Sequence, residues 1–194
     1  MPKVNSFPLE YNSSMATKRT PDGMGMTKLR GGARLPKIDP RIASLGDLDE
    51  TSAALGLARS SCQAGEAPAI LLEVQRALYL IMAEIAAPSN EGEDFPRLEQ
   101  SHLERLEFHI IALSKQVTLP REFIVPGDSP SSAVLDLART VTRRAERSVL
   151  GLVESGRLEN PLLFEYLNRL SYLCYLLELK EIDHAGLHPT RAQP

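Results

Sequence analysis

The chain has 194 residues, an ordinary apolar share of 43% and a net charge of -3 from 22 basic and 25 acidic side chains. That length is ample for one domain with a substantial core, and the slight acidic balance removes any general attraction to nucleic acid or to an anionic membrane. Anion binding therefore has to come from local clustering of charge.

Cys62 and Cys174 stand far apart without metal or redox spacing, so no disulfide framework is indicated and a reducing, cytoplasmic home is the default. Apolar runs such as residues 69–72 are far too short to cross a bilayer, and the N-terminus has no continuous apolar signal core. The basic first thirty residues leave an organelle transit peptide open.

Residues 1–35 are rich in Pro, Gly, Ser, Thr and Asn and show no sustained period, which predicts an irregular segment. Within it Thr17, Lys18, Thr20, Asp22, Gly25, Thr27 and Lys28 combine hydroxyls, cations and glycine, the ingredients of a loop whose backbone N–H groups can face phosphate oxygens. The Gly-Lys-Ser/Thr run of a P-loop is missing, and taken alone the stretch reads more simply as a mobile tail.

Asp39-Pro40 opens a first helix to about residue 60, since Asp can cap it and Pro fits its first turn. Ile42, Leu45, Leu48, Leu55 and Ala58 give it an apolar face, while Gly46 and Gly56 predict a close approach by another element. Asp47, Asp49 and Glu50 form an acidic cluster that suits the positive end of the helix. A second, core-facing helix is predicted over 69–86 and a third over 95–117. His102 and His109 share a face of the third helix but lack a third ligand, so they read as surface or packing histidines rather than a metal site.

Residues 119–128 contain two prolines and a glycine, which predicts a stiff loop carrying Phe123, most simply as a plug for the end of the core. Residues 131–154 follow as one long helix. Ala133, Val134, Leu137, Val141, Ala145, Val149 and Leu152 recur at helical spacing, and four arginines fall within nine residues, Arg139, Arg143, Arg144 and Arg147. Arg139, Arg143 and Arg147 stack along one stripe. Stacked guanidiniums repel unless anions lie among them, and arginine is shaped to grip phosphate or carboxylate. An ion-paired surface face, with Asp136 and Glu146 as neighbours, is the simpler alternative. A last helix over 158–181 is rich in leucine, interrupted by Asn168 and Arg169, which need partners if buried. Beyond residue 183 a disordered tail is expected, and no strand pattern is evident.

Taken together, several stretches resemble the PduO-type ATP:cob(I)alamin adenosyltransferases. The resemblance runs from about residue 17 to 177 and rests on Arg121-Glu122-Phe123-Ile124-Val125-Pro126-Gly127, on Leu137-Ala138-Arg139-Thr140 with Arg143-Arg144-Ala145-Glu146-Arg147, and on Asn168-Arg169-Leu170-Ser171. Asp39-Pro40-Arg41 and Ala54-Leu55-Gly56-Leu57-Ala58-Arg59 match the family's first helix. Any one piece could arise in an unrelated helical protein; the ordered set is specific.

The resemblance implies an all-α, five-helix bundle with an irregular N-terminal nucleotide loop, divided into residues 1–35, a bundle over 36–183 and a tail over 184–194. It implies a homotrimer that binds ATP and the corrinoid substrate cobalamin at subunit interfaces with the help of Mg²⁺. Arg139 would contact the triphosphate, Arg143 would pair with Asp49 across a subunit boundary, Asn168 would bind the nucleotide, and Glu146 would support the arginines, with Arg144 beside them. The loop residues Thr17, Lys18, Thr20, Asp22, Gly25, Thr27 and Lys28 would hold ATP. Phe123 would occupy the lower face of the corrin. The implied reaction moves the 5′-deoxyadenosyl group from ATP to cobalt, with a reductase or an adenosylcobalamin-dependent enzyme as a further partner. Nucleic acid and membrane are not implied as partners.

The nucleotide loop departs from the family pattern Thr-Gly-Asp, any residue, Gly, any residue, Thr. Here Thr20-Pro21-Asp22-Gly23-Met24-Gly25-Met26-Thr27 places Pro where the first Gly belongs and adds one residue. Pro lacks the N–H and the permissive dihedrals of Gly. Tyr172 replaces an acid, and Thr51-Ser52 replace Leu-Asn. These changes motivate an alternative reading as a corrinoid-binding or chaperone-like relative with impaired ATP use. A helical module gripping nucleic acid through its basic stripe is a third reading, opposed by the acidic total.

Overall fold

A computed structural model describes residues 25–29, 32–87 and 96–193. Five helices carry the fold: α1 (Pro40–Ser61), α2 (Ala67–Ala86), α3 (Gln100–Ser114), α4 (Pro130–Glu154) and α5 (Leu162–His184). They are preceded by a small antiparallel hairpin of β1 (Met26–Lys28) and β2 (Arg34–Pro36). α4 lies between α1 and α5, with α2 packed on the far side of α1 and α3 on the far side of α5. Leucine-rich inner faces of all five helices merge into one core.

Local chemistry sets the helix ends. Asp39 accepts the Arg41 N–H at 2.9 Å and Pro40 occupies the first turn, so α1 begins where the sequence predicts. The Arg41 guanidinium then donates to the Ile85 and Ala87 carbonyls at 2.5–3.0 Å, satisfying orphan acceptors at the end of α2. Glu181 is buried, yet its Oε1 accepts the Gln63 and Ala64 N–H groups at 2.9 and 2.8 Å, which ties the α1–α2 turn to α5. Cys62 lies under that turn and Cys174 in the core; both thiols are free and pushed up to about 12, chiefly by burial.

Several expectations shift. The helix predicted from residue 95 begins at Gln100, because residues 96–99 are held as a loop: Glu84 accepts the Leu98 N–H at 3.2 Å and Asn160 donates to the Leu98 carbonyl at 3.1 Å. His102 closes that start by accepting the Glu99 N–H at 3.1 Å, and His109 meets Glu73 at 3.2 Å. α5 starts at Leu162 rather than near 158, since Asn160 accepts the Leu162 N–H at 3.1 Å. On α4 the buried face is Leu135, Ala138, Val141, Thr142, Ala145, Val149 and Leu152, whereas Leu137 is 51% exposed. The periodic match that included Leu137 was displaced around the helix, because α1 and α5 flank α4 and together select the side centred on Ala138 and Ala145.

The segment expected to be irregular contains the hairpin, in which Met26 faces Pro36, Thr27 faces Leu35 and Lys28 faces Arg34. Three-residue strands are too short to leave an alternating pattern. Gly56 does mark a close approach, since a Cβ there would meet Gln75 Nε2 at 3.2 Å, but no described atom comes within 4 Å of one at Gly46. The expected disorder after residue 183 is also corrected. Gly186, at φ 70°, closes α5 with the Leu187 N–H on the Ile182 carbonyl at 3.0 Å, and residues 190–192 hydrogen-bond to the Phe123 loop.

Because Leu135 is fully buried between α4 and its neighbours, Leu135→Ala is expected to lower the unfolding free energy by about 2–5 kcal/mol in urea titrations. Wild-type stability in that variant would contradict the helix orientation described above.

Candidate functional site

A cleft of about 760 Å³ opens between the loop that follows α3, the middle of α4 and the middle of α5. Phe123, Arg139, Arg143, Asn168, Arg169 and Tyr172 are among the side chains that line it. α4 and α5 supply the polar groups because both helices turn leucine and alanine inward, which leaves residues on their shared edge to face outward.

Arg139 is half-buried and held by Asp136, whose Oδ1 accepts Nε at 2.8 Å and Nη2 at 2.7 Å. Arg143, one turn further on, is exposed, and its guanidinium has no partner among the described residues. Glu146 accepts Asn168 Nδ2 at 2.8 Å, so its support reaches across to α5 rather than along the arginine stripe. Arg169 forms a paired contact with Glu107 of α3, including Nη2 to Oε2 at 2.8 Å, and lies 5.4 Å from the Tyr172 ring centroid. Phe123 is 89% exposed, so it is a presented ring rather than the core plug that residue types alone suggest.

Other expected site residues lie elsewhere. Arg144 sits on the opposite edge of α4, where it pairs with Asp47 at 3.4 Å and with Glu50 of α1. Those carboxylates push its pKa further up. The acidic cluster on α1 thus has a partner within its own chain, yet Asp49 is exposed and unpaired among the described residues. Gly25, Thr27 and Lys28 belong to the hairpin, where Gly25 adopts φ 81° and its carbonyl accepts the Lys37 N–H at 2.7 Å. Thr17, Lys18, Thr20 and Asp22 lie outside the described residues.

Tyr175 and Glu178 line the cleft and are absent from the sequence reading. Glu178 lies at the floor, 1% exposed, and neither carboxyl oxygen has a hydrogen-bond partner among the described residues. Burial, then the negative charge of Asp136, drive its pKa up from 4.5 to about 7, against the opposing pull of Arg139. The available signal was an acid directly after Leu176 and Leu177, where an apolar residue also fits the helical pattern of Leu170 and Cys174.

Fold and cleft together define a class: a five-helix bundle with an arginine-lined recess, suited to an anionic ligand, beside an aromatic ring presented on a loop. Residues 16–181 match the cobalamin adenosyltransferase family, and the chain belongs to that family. It is 35% identical over 166 residues to a corrinoid adenosyltransferase of Mycobacterium leprae (strain TN), covering 82% of this chain and 86% of the relative. It is 38% identical over 151 residues to one from Bacillus subtilis (strain 168), covering 76% of each. The structure also superposes on a variant PduO-type ATP:corrinoid adenosyltransferase from Lactobacillus reuteri complexed with cobalamin and ATP. That match has a TM-score of 0.79 and 26% identity, over 88% of this chain and 96% of the other. Among the described residues no helix is long and apolar enough to cross a membrane.

The buried acid makes stability depend on pH in a defined direction. Between the unfolded value of 4.5 and the folded value of about 7, the folded chain binds the extra proton, so Glu178 favours folding at low pH and progressively less as pH rises. Relative to Glu178→Gln, wild-type stability is expected to fall by roughly 1–3 kcal/mol between pH 5 and pH 8. Urea titrations of the two proteins across that range check this, and parallel profiles would contradict it.

Proposed function

We propose that the chain transfers the 5′-deoxyadenosyl group of ATP to the cobalt of cob(I)alamin, giving adenosylcobalamin and triphosphate. The observation that carries this reading is the convergence of Arg139, Arg143 and the exposed ring of Phe123 on one cleft. An apolar ring suits the flat face of a corrin, and guanidiniums suit a polyphosphate.

In the transfer, the cobalt electron pair forms the bond to C5′ while the C5′–O bond breaks, and its electrons leave with the triphosphate. The substrate brings its own nucleophile, so the chain has to position, shield and neutralise rather than attack. Arg139 and Arg143 stabilise the charge that collects on the triphosphate as it leaves. Asp136 fixes the Arg139 guanidinium in a set direction, which lowers the cost of orienting it. Asn168, held by Glu146, offers its amide to the nucleotide. Phe123 covers the lower face of the corrin and keeps water and a lower axial ligand from the cobalt. The hairpin residues Gly25, Thr27 and Lys28, with Thr17, Lys18, Thr20 and Asp22 before them, complete the nucleotide side.

Mg²⁺ fits this scheme as a companion of the phosphates. No group of three or more candidate metal ligands forms among the described residues, and Mg²⁺ is commonly carried by phosphate oxygens and water with few protein ligands. When bound, it supplies further positive charge at the triphosphate.

The assembly we propose is a homotrimer with the cleft completed by a neighbouring copy. Supporting it are Asp49 and Arg143, unpaired among the described residues, the absence of any described atom within 4 Å of a Cβ at Gly46, and the exposed Leu57 of α1 and Leu137 of α4, at 52% and 51%. Asp49 of one copy would meet the arginines of the next. A cytoplasmic location, a reductase that supplies cob(I)alamin and an adenosylcobalamin-dependent enzyme that takes the product complete the proposal.

Replacing either guanidinium removes charge where the leaving group departs. Arg139→Ala and Arg143→Ala are each expected to lower kcat at least ~100-fold, a loss of roughly 2.7 kcal/mol of transition-state stabilisation, while helical content stays intact. Wild-type turnover by both variants would end the assignment. Sedimentation of Asp49→Ala is expected to show a trimer that dissociates at concentrations where the wild type stays assembled; an unchanged distribution would remove Asp49 from the interface.

A further inference from the structure

The Phe123 ring has no aromatic neighbour among the described residues and is almost wholly exposed, so its position is set through its backbone. The loop that bears it has few means of holding itself. Pro120 and Pro126 lack N–H donors, Gly127 adopts φ 122°, and a second cleft of about 810 Å³ lies on its other side, floored by Leu179, Ile182 and Leu187. A segment this poor in internal hydrogen bonds needs partners from elsewhere.

The C-terminal residues supply them. The Ala192 N–H donates to the Phe123 carbonyl at 2.8 Å, and the Val125 N–H donates to the Thr190 carbonyl at 2.8 Å. Ile124 and Arg191 form an antiparallel bridge between these bonds. Asp128 then accepts the Thr190 N–H at 3.0 Å and its hydroxyl at 2.6 Å, and Arg191 meets Glu122 at 3.2 Å. The loop is therefore gripped at Glu122, Phe123, Val125 and Asp128, on both sides of the ring.

We infer that residues 187–192 are a clamp that positions Phe123 for the corrin, so that the end of the chain acts on the reaction through that one ring. The inference rests on the proposed function and assigns a positioning role to Thr190, Arg191 and Ala192. Strand addition to an unpaired segment supplies the holding force: backbone hydrogen bonds give the affinity and the Asp128–Thr190 contact gives the register.

The test compares the full chain with a chain ending at Gly186 and with the milder Thr190→Val, each with and without Phe123→Ala. Truncation is expected to speed hydrogen exchange at the Val125 amide at least ~10-fold, to leave the ATP dissociation constant within about twofold, and to lower kcat about as much as Phe123→Ala does. Adding Phe123→Ala to the truncated chain should then cost less than about twofold more, because the clamp has no other route to the cobalt. Thr190→Val, which keeps the fold with least disturbance, should show the same pattern more weakly. Unchanged exchange at Val125, undiminished kcat, or losses that multiply in the double variant would each overturn the clamp. Absence of adenosylcobalamin formation by the full-length protein would instead overturn the proposed function, while the exchange measurement still reads the clamp.

Discussion

α4 is held by α1 on one edge and α5 on the other, and the burial of its inner face decides where every charge on it must go. Ala138 and Ala145 lie fully buried at the centre of that face, small enough for both neighbours to come close. The charged residues are thereby divided between two edges. Arg144 falls to the α1 edge, where Asp47 and Glu50 neutralise it, and Arg139 and Arg143 fall to the α5 edge, where Asp136 pairs with Arg139 alone and the Arg143 guanidinium has no partner among the described residues. On the α1 edge Arg144 is paired within the chain and Asp49 stays exposed; the cleft edge retains positive charge.

That asymmetry links packing to chemistry. A cleft lined by surplus positive charge, a presented apolar ring and a protonatable acid suits a ligand with both an anionic and an apolar part. Glu178 belongs to the same logic. Held partly protonated near neutral pH by burial and then by Asp136, it offsets less of the positive charge of the arginine wall than an ordinary carboxylate would. The C-terminal strand extends the logic to the loop, since it spends backbone hydrogen bonds on a segment that has no place in the bundle.

Much of this was legible in the residue order. The existence of all five helices follows from apolar spacing, and the start of α1 follows from Asp39-Pro40. The grouping of Phe123, Arg139, Arg143 and Asn168 was reached through ordered motifs rather than through periodicity. What escaped depends on neighbours that a one-dimensional pattern does not contain. Leu135 and Leu137 are equally apolar, and only the placement of α1 and α5 decides which is buried. Arg144 and Arg143 are adjacent in sequence, but 100° of helical rotation sends one to the carboxylates of α1 and the other to the cleft. The hairpin strands are too short to announce themselves, the C-terminal segment is ordered by a loop some sixty residues earlier, and Glu178 looks like any helix acid until the cleft floor is drawn around it.

The central claim is that guanidiniums of α4 and the ring of Phe123 bring a triphosphate-bearing nucleotide and a reduced corrinoid together for carbon transfer. The most direct measurement is the absorption spectrum of cob(I)alamin with the purified protein, followed after ATP and Mg²⁺ are added under strict reduction. The account predicts full conversion to the adenosylcobalamin spectrum, with one triphosphate released per cobalt. A cob(I)alamin spectrum that persists while both ligands are bound would contradict it.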